Sequence, residues 1–334
     1  VTGKPAICIV IVTYKSDETI ARCIQALGAQ TYRNFEVVLV ENGGTASAAA
    51  ALEVLEVPAV LLVPSGNLGF AAANNLGAAK ASAAAEWIAT LNPDAFPAAD
   101  WLDEFAVATA RYPRCTIFGS LQMQATAEPK VDGRGDCYHA FGFAWRSGRK
   151  DPLPTSLEDS ETFSPCAAAA FYRRDVFQAL GGFDESYFNY MEDVDLGFRF
   201  RLAGHASVQL AKARVVHIGG ASATSDFAVR HGMRNTVTTY LKDMPAALMW
   251  PLLPFHAAAI AALCVYNGAK GNGGAALAGV ADALRRLGAT IAARRTVQKS
   301  RKASSGSIAG ALTWSWVAPL RMASSVRPPP ESVR

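Results

Sequence analysis

The chain has 334 residues, 51% of them hydrophobic and 18% charged, a composition that excludes wholesale disorder and leaves room for one large core or two modest ones. Its net charge of +4 is unevenly spread: residues 241–334 hold 12 Lys/Arg against 3 Asp/Glu, and the rest hold 20 against 25. That split predicts a neutral-to-acidic catalytic part with a basic appendage suited to phosphate or an anionic membrane surface, and nothing else in the chain points to nucleic acid.

In chain order, the apolar runs Ala6–Val12, Phe35–Val40, Val60–Val63 and Trp87–Leu91 read as strands. Helical stretches separate them at Glu18–Ala29, Ala46–Leu55 and Phe70–Ala84. Uninterrupted apolar strands alternating with helices predict a parallel sheet covered on both faces, a Rossmann-like half with ligands beyond the carboxyl ends of its strands. Polar residues gather at those ends: Thr13 and Tyr14, Glu41 and Asn42, Asn67, then Asp94. The chain lacks both G-x-G-x-x-G and G-x-x-x-x-G-K-[ST], which argues against a dinucleotide dehydrogenase and a P-loop NTPase.

A helix at Ala99–Arg111 and a strand at Thr116–Met123 follow, then a polar, Gly-rich stretch from Ala127 to Pro154 expected to be a flexible loop or edge strands near the site. A short helix near Arg174–Leu180 should stop at Gly181-Gly182. Beyond it come the acidic cluster Glu192-Asp193-Val194-Asp195, a helix to Ala203, and strands around Ala206–Leu210 and Arg214–Ile218. Six cysteines without a C-x-x-C pair read as reduced structural thiols. The apolar run after Lys4 and Pro5 is too short for a signal core, so a cytosolic domain is expected.

The motifs Ile9-Val10-Ile11-Val12-Thr13-Tyr14, Val40-Glu41-Asn42, Asn67-Leu68-Gly69-Phe70 with Asn74-Asn75, Leu91-Asn92-Pro93-Asp94, Gly181-Gly182-Phe183-Asp184-Glu185 and Glu192-Asp193-Val194-Asp195 occur in one order over residues 6–220. In that order they resemble the family 2 inverting glycosyltransferases, most closely their bacterial rhamnosyltransferase-like branch. The resemblance implies a GT-A fold: a Rossmann-like nucleotide-binding half plus an acceptor-binding half on a mixed sheet, here with a helical C-terminal extension. It also implies a nucleotide-sugar donor, dTDP- or UDP-linked, with dTDP-rhamnose favoured, and a glycan or lipid-linked acceptor.

Residue by residue, the resemblance places Thr13, Tyr14, Glu41, Asn67, Gly69, Asn74, Asn75, Asn92 and Asp94 at the donor. Asn92-Pro93-Asp94 stands where the family has Asp-x-Asp, so one carboxylate is left for Mg2+ or Mn2+. His217, at the end of Arg214–Gly220, is the second expected metal ligand, and Arg230, His231, Arg234 and Asn235 are placed to reach the diphosphate. Asp193 is the expected base with Glu192 beside it, because an inverting transfer needs a carboxylate on the acceptor side to take the attacking hydroxyl's proton. Asp195, Tyr190 and Trp145 are expected at the acceptor.

Met244–Asn267 has no formal charge yet contains Pro245, Pro251 and Pro254, which favours a broken helix in a membrane interface or a re-entrant hairpin. After a linker at Gly268–Gly274, a basic amphipathic helix is expected from Ala276 to Lys302, bearing Arg285, Arg286, Arg294, Arg295, Lys299, Arg301 and Lys302. The expected organisation is therefore a transferase domain over 1–240, a membrane-associating helical extension over 241–322, and a disordered tail over 323–334. Peripheral attachment to the inner face of the cell membrane follows. Two other readings compete: a non-catalytic sugar-nucleotide-binding or scaffold protein, and a nucleotidyltransferase. The first leaves Asp94 and Asp193 without purpose, and the second lacks a Gly-rich, basic triphosphate loop.

Overall fold

The computed structural model describes residues 6–43, 47–128, 130–153, 157–219, 225–323 and 327–334; the expected positions Ala46, Pro154 and Gly220 lie outside them. In chain order the elements are β1 (Ile7–Thr13), α1 (Asp17–Gly28), β2 (Phe35–Glu41), α2 (Ser47–Leu52), β3 (Ala59–Leu62), α3 (Gly69–Ala79), β4 (Trp87–Leu91), β5 (Ala95–Pro97), α4 (Trp101–Arg111) and β6 (Ile117–Gln124). Next come β7 (Val131–Gly133), β8 (Asp136–Tyr138), β9 (Ala144–Arg146), β10 (Ser160–Thr162), β11 (Ala169–Arg173), α5 (Arg174–Ala179), α6 (Glu192–Leu202) and β12 (Ser207–His217). The chain continues through α7 (Asp226–Asp243), α8 (Ala246–Ala269), α9 (Gly273–Arg285), α10 (Leu287–Lys299) and α11 (Ser305–Ala311).

The main path of the sheet runs β10-β12-β6-β11-β4-β1-β2-β3. β4, β1, β2 and β3 are parallel, whereas β11 is antiparallel to both β4 and β6. The sheet is thus mixed, as the GT-A expectation requires. β1 is buried throughout because it faces two cores. Ile7, Ile9 and Ile11 join the cluster under α1 and α4; Cys8, Val10 and Val12 join the one under α3, α5 and α6. Gly77 lets α3 lie close on the sheet, since a Cβ there would run into Val10.

Several expectations need correction. The Gly-rich stretch after β6 is ordered: β7 pairs with β6, and β8 and β9 form a hairpin. The two strands expected around Ala206–Ile218 are one, β12, with a register shift between Gln209 and Arg214. α8 is a continuous helix that keeps Pro251 and Pro254 inside it, neither broken nor re-entrant, and the basic helix expected over 276–302 is divided at Arg286 into α9 and α10. Residue 240 falls inside α7, and a shared apolar cluster joins Tyr138, Phe163 and Phe198 to Met244, Met249 and Leu312. The tail expected to be disordered packs on the domain over 327–334: Val333 enters the main core, Arg327 bridges to Glu161, and Arg114 donates to the carbonyl of Arg334. Burial of one apolar side chain outweighs the Pro-rich composition there.

Candidate active site

β-Pairing builds the first part of the site. β5 runs antiparallel to β12 with Ala95 opposite His217, so Asp94, just before β5, lies beside the end of β12. The Asp94 carbonyl accepts from Ile218 N at 3.1 Å, and its Oδ2 accepts from Gly219 N at 3.1 Å. His217 Nε2 is 3.4 Å from Asp94 Oδ1, and its Nδ1 is 2.8 Å from Asp132 Oδ2. His217 thus stands between two carboxylates, one at each ring nitrogen. Burial alone would raise the Asp94 and Asp132 carboxyls, but the hydrogen bonds and charge of His217, joined at Asp132 by Arg146, outweigh it and hold both low. Burial lowers His217, and the two carboxylates more than reverse this.

The chain of contacts continues inward. Arg146 donates from Nη1 to Asp132 Oδ2 at 2.8 Å and from Nη2 to Cys166 Sγ at 2.8 Å. Cys166, Asp136 and Asp193 bring their ligand atoms within 4.8 Å of one another. Burial, reinforced by the charge of Asp193, pushes the Asp136 carboxyl up to about 8, so Asp136 is mostly protonated at neutral pH. Burial likewise pushes the Cys166 thiol up to about 12 and keeps it neutral. Hydrogen bonds and ion pairs thus run from Asp94 as far as Cys166, which lies within 4.8 Å of Asp193.

Asp193 is the second residue of α6 and half-buried. Its Oδ2 accepts from Ala167 N at 3.0 Å and its Oδ1 from Val194 N at 2.8 Å, while its carbonyl accepts from Ser164 Oγ at 2.7 Å. Each carboxylate oxygen therefore keeps a lone pair for an incoming proton. The loop before α6 holds Phe188, Tyr190 and Met191 in left-handed conformations, a cluster of local strain at the site. Asn235 clamps that loop, donating to the carbonyls of Tyr187, Asn189 and Tyr190 at 3.1, 3.0 and 2.7 Å, and Arg234 adds Tyr187 at 2.6 Å. Arg234 and Asn235 brace the loop rather than point to a diphosphate, and His231 lies against the rings of Phe188 and Phe227.

A cleft of about 710 Å³ opens at the strand ends. Tyr14, Asn67, Gly69, Asn92, Asp94 and Tyr190 line it, as expected for the donor end and its neighbour. Asn42 completes this wall: its Nδ2 donates to Asn67 Oδ1 at 2.8 Å and its Oδ1 accepts from Leu68 N at 2.8 Å. Gly69 is left-handed, and a Cβ there would collide with Phe188. Other expected residues stand behind the wall. Thr13 donates to Glu41 Oε2 at 2.8 Å, Glu41 Oε1 accepts from Gly43 N at 2.9 Å, and both side chains are buried. Asn74 turns back to the Phe70 carbonyl, and Asn75 holds Phe183 through its backbone N–H and C=O.

Three acidic-cluster and acceptor expectations change. Asp195 is fully buried and ion-paired with Arg199 at 2.8 Å and with Lys242, so it anchors α6 and does not face an acceptor. Breaking such a pair costs about 3–5 kcal/mol. Glu192 is buried beside Asp193, and burial and that charge drive its carboxyl well up. Trp145 is buried, donates to the Ala323 carbonyl at 3.3 Å and packs against Phe143, so its faces are not open to a sugar. Sequence reading missed Asp132, Asp136, Arg146 and Cys166. For Asp132, Asp136 and Arg146 the only signal was charge inside a Gly-rich stretch, and Cys166 had none beyond its thiol, because the register that brings them to the site is set by long-range pairing.

The family model for glycosyl transferase family 2 matches residues 8–181, over half of the chain. The chain belongs to glycosyl transferase family 2. The enzyme is 32% identical over 234 residues to the N-acetylglucosaminyl-diphospho-decaprenol L-rhamnosyltransferase of Mycobacterium tuberculosis, an alignment spanning 63% of this chain and 75% of that relative. Among solved structures, the mannosyltransferase PcManGT from Pyrobaculum calidifontis, in complex with GDP-Man and Mn2+, superposes with a TM-score of 0.55 at 16% identity, covering 93% of this chain and 86% of that one. GalNAc-T7 with UDP, GalNAc and Mn2+ gives 0.59 at 15% identity over 72% of this chain and 48% of its own. Both likenesses concern the fold, and they agree on GT-A architecture for this glycosyltransferase.

Proposed function

We propose that the enzyme is an inverting rhamnosyltransferase, moving rhamnose from dTDP-rhamnose to a lipid-linked acceptor in cell-envelope glycan synthesis at the inner face of the membrane. The observation that carries this reading is the path from Asp94 through His217, Asp132 and Arg146 to the Asp136–Cys166–Asp193 group. The donor sugar and the lipid-linked acceptor are taken from the mycobacterial relative. The acceptor hydroxyl attacks the anomeric carbon as the bond to the diphosphate breaks, and its proton passes to Asp193, which the Ala167 and Val194 amides hold in orientation. The cleft walls formed by Asn42, Asn67 and Gly69 fix the donor against rotation.

Asp94 and His217 fit a divalent cation: one carboxylate oxygen and one lone-pair nitrogen converge, and Asp132 fixes the imidazole from behind as metal-bound histidines require. Bound there, Mg2+ or Mn2+ would supply positive charge against the departing diphosphate. Incubation with dTDP-rhamnose and a polyprenyl-diphosphate-linked N-acetylglucosamine should give a rhamnosylated product with inverted anomeric configuration by NMR. Transfer from UDP-sugars alone would overturn the donor assignment, and donor binding without any transfer would favour a binding protein.

A further inference from the structure

α8 is long and apolar enough to cross a membrane, yet only 17% of its most apolar 18 residues is buried. A helix apolar on all sides is stable only among other apolar groups. α7 supplies a part of them through Met233 and Val237, which pack with Ile260. α7, α8 and the α9–α10 pair line an open groove of about 1170 Å³. Its floor is Val237 and Leu241; its walls are Trp250 and Leu253 on α8 and Leu284 and Ile291 opposite. Trp250, Leu284 and Ile291 are 65%, 59% and 41% exposed.

The groove has a direction. α9 and α10 run along α7 in register, with Asn272 on Asp226, Arg230 on Asp282, and Arg294 on the Leu241 and Met244 carbonyls. Leu277 and Val280 therefore lie at one end, and Arg294, Arg295, Gln298 and Arg301 at the other. Arg294 is held by carbonyls and Arg301 by Ser305, whereas Arg295 is on the exposed side. Hydrocarbon at one end and guanidinium at the other match an amphiphile with a phosphate head.

We propose that this groove seats one anionic phospholipid of the bilayer, an acyl chain along its apolar walls and the phosphate against Arg295 and Arg301. At Lys302 the basic end meets the end of α6 opposite the proposed base. Lys302 N donates to Leu202 O at the last residue of α6, whereas Asp193 is its second residue, about 14 Å away along the helix. Val265 and Tyr266, 73% and 55% exposed on α8, extend the apolar surface beyond the groove, so neighbouring lipids cover what one chain does not.

The test floats the 334-residue chain with phosphatidylcholine vesicles, with and without phosphatidylglycerol, and needs no substrate, so failure of the rhamnosyl assignment would leave it standing. Binding should require phosphatidylglycerol and weaken with salt. Arg295→Glu should lower the bound-to-free ratio by at least about fivefold. The double variant Leu284→Asp, Ile291→Asp should abolish binding while its circular-dichroism melt stays cooperative. Undiminished binding by both folded variants would overturn the proposal. So would binding only to vesicles doped with a polyprenyl diphosphate, which would make the groove the seat of the acceptor's tail. If the double variant fails to fold, Arg295→Glu on the exposed side still decides.

Discussion

His217 sits between two carboxylates, and what it does depends on which nitrogen carries the proton. Asp132 takes the Nδ1 side at 2.8 Å, and Nε2 faces Asp94, where the proposed cation would sit. Removal of a supporting carboxylate behind a metal-bound histidine costs about 10–100-fold in metal affinity. Asp132→Asn is expected to weaken Mn2+ binding within that range, and Asp94→Ala to weaken it at least as much, measured by calorimetric titration without donor present. Mn2+ affinity that is the same in wild type and both variants would remove the cation from this place. Arg146 neutralises Asp132 and lies between it and the protonated Asp136, so two acids can be buried close to Asp193.

α6 is the element on which the base depends. Gly197 faces Ser164, whose hydroxyl donates to the Asp193 carbonyl, and a Cβ at 197 would run into the Ser164 side chain and backbone. Gly197→Ala gains up to about 1 kcal/mol of helix propensity but overpacks a fixed neighbour at a cost of about 1–3 kcal/mol. It should lower the urea midpoint, whereas Gly232→Ala in α7, with nothing within 4 Å of its Cβ, should raise it. A rise in both would mean that α6 has slack against Ser164. Local signals made these helices and the β1–β4 core legible in the sequence. The apolar runs of β1, β2 and β4, Gly181-Gly182 at the end of α5 and the acidic start of α6 are all short-range features, whereas β3 is an exposed edge strand. β7, β8 and β9 were not legible, because three-residue strands carry almost no periodicity and owe their place to pairing with distant segments. Asp195 was misassigned for the same kind of reason: Arg199 is near in sequence, but Lys242, its second partner, arrives from α7.

At the scale of the whole molecule, the sheet gathers Tyr14, Asn67, Asn92 and Asp94 at one set of strand ends, and α6 carries Asp193, the proposed base. The C-terminal helices share a core with β8, α6 and α7, so much of the basic surplus of residues 241–334 is carried on helices packed against the domain. The proposed reaction depends on Asp193, whose carboxylate is oriented by two amides. Single-turnover transfer by wild type and Asp193→Asn, alongside donor dissociation constants for both, tests this directly. As the base, Asp193 predicts that the Asn variant loses about 10²–10⁴-fold in rate with donor affinity within a few fold of wild type. Unchanged turnover, or a rate lost only through collapsed donor binding, would contradict it.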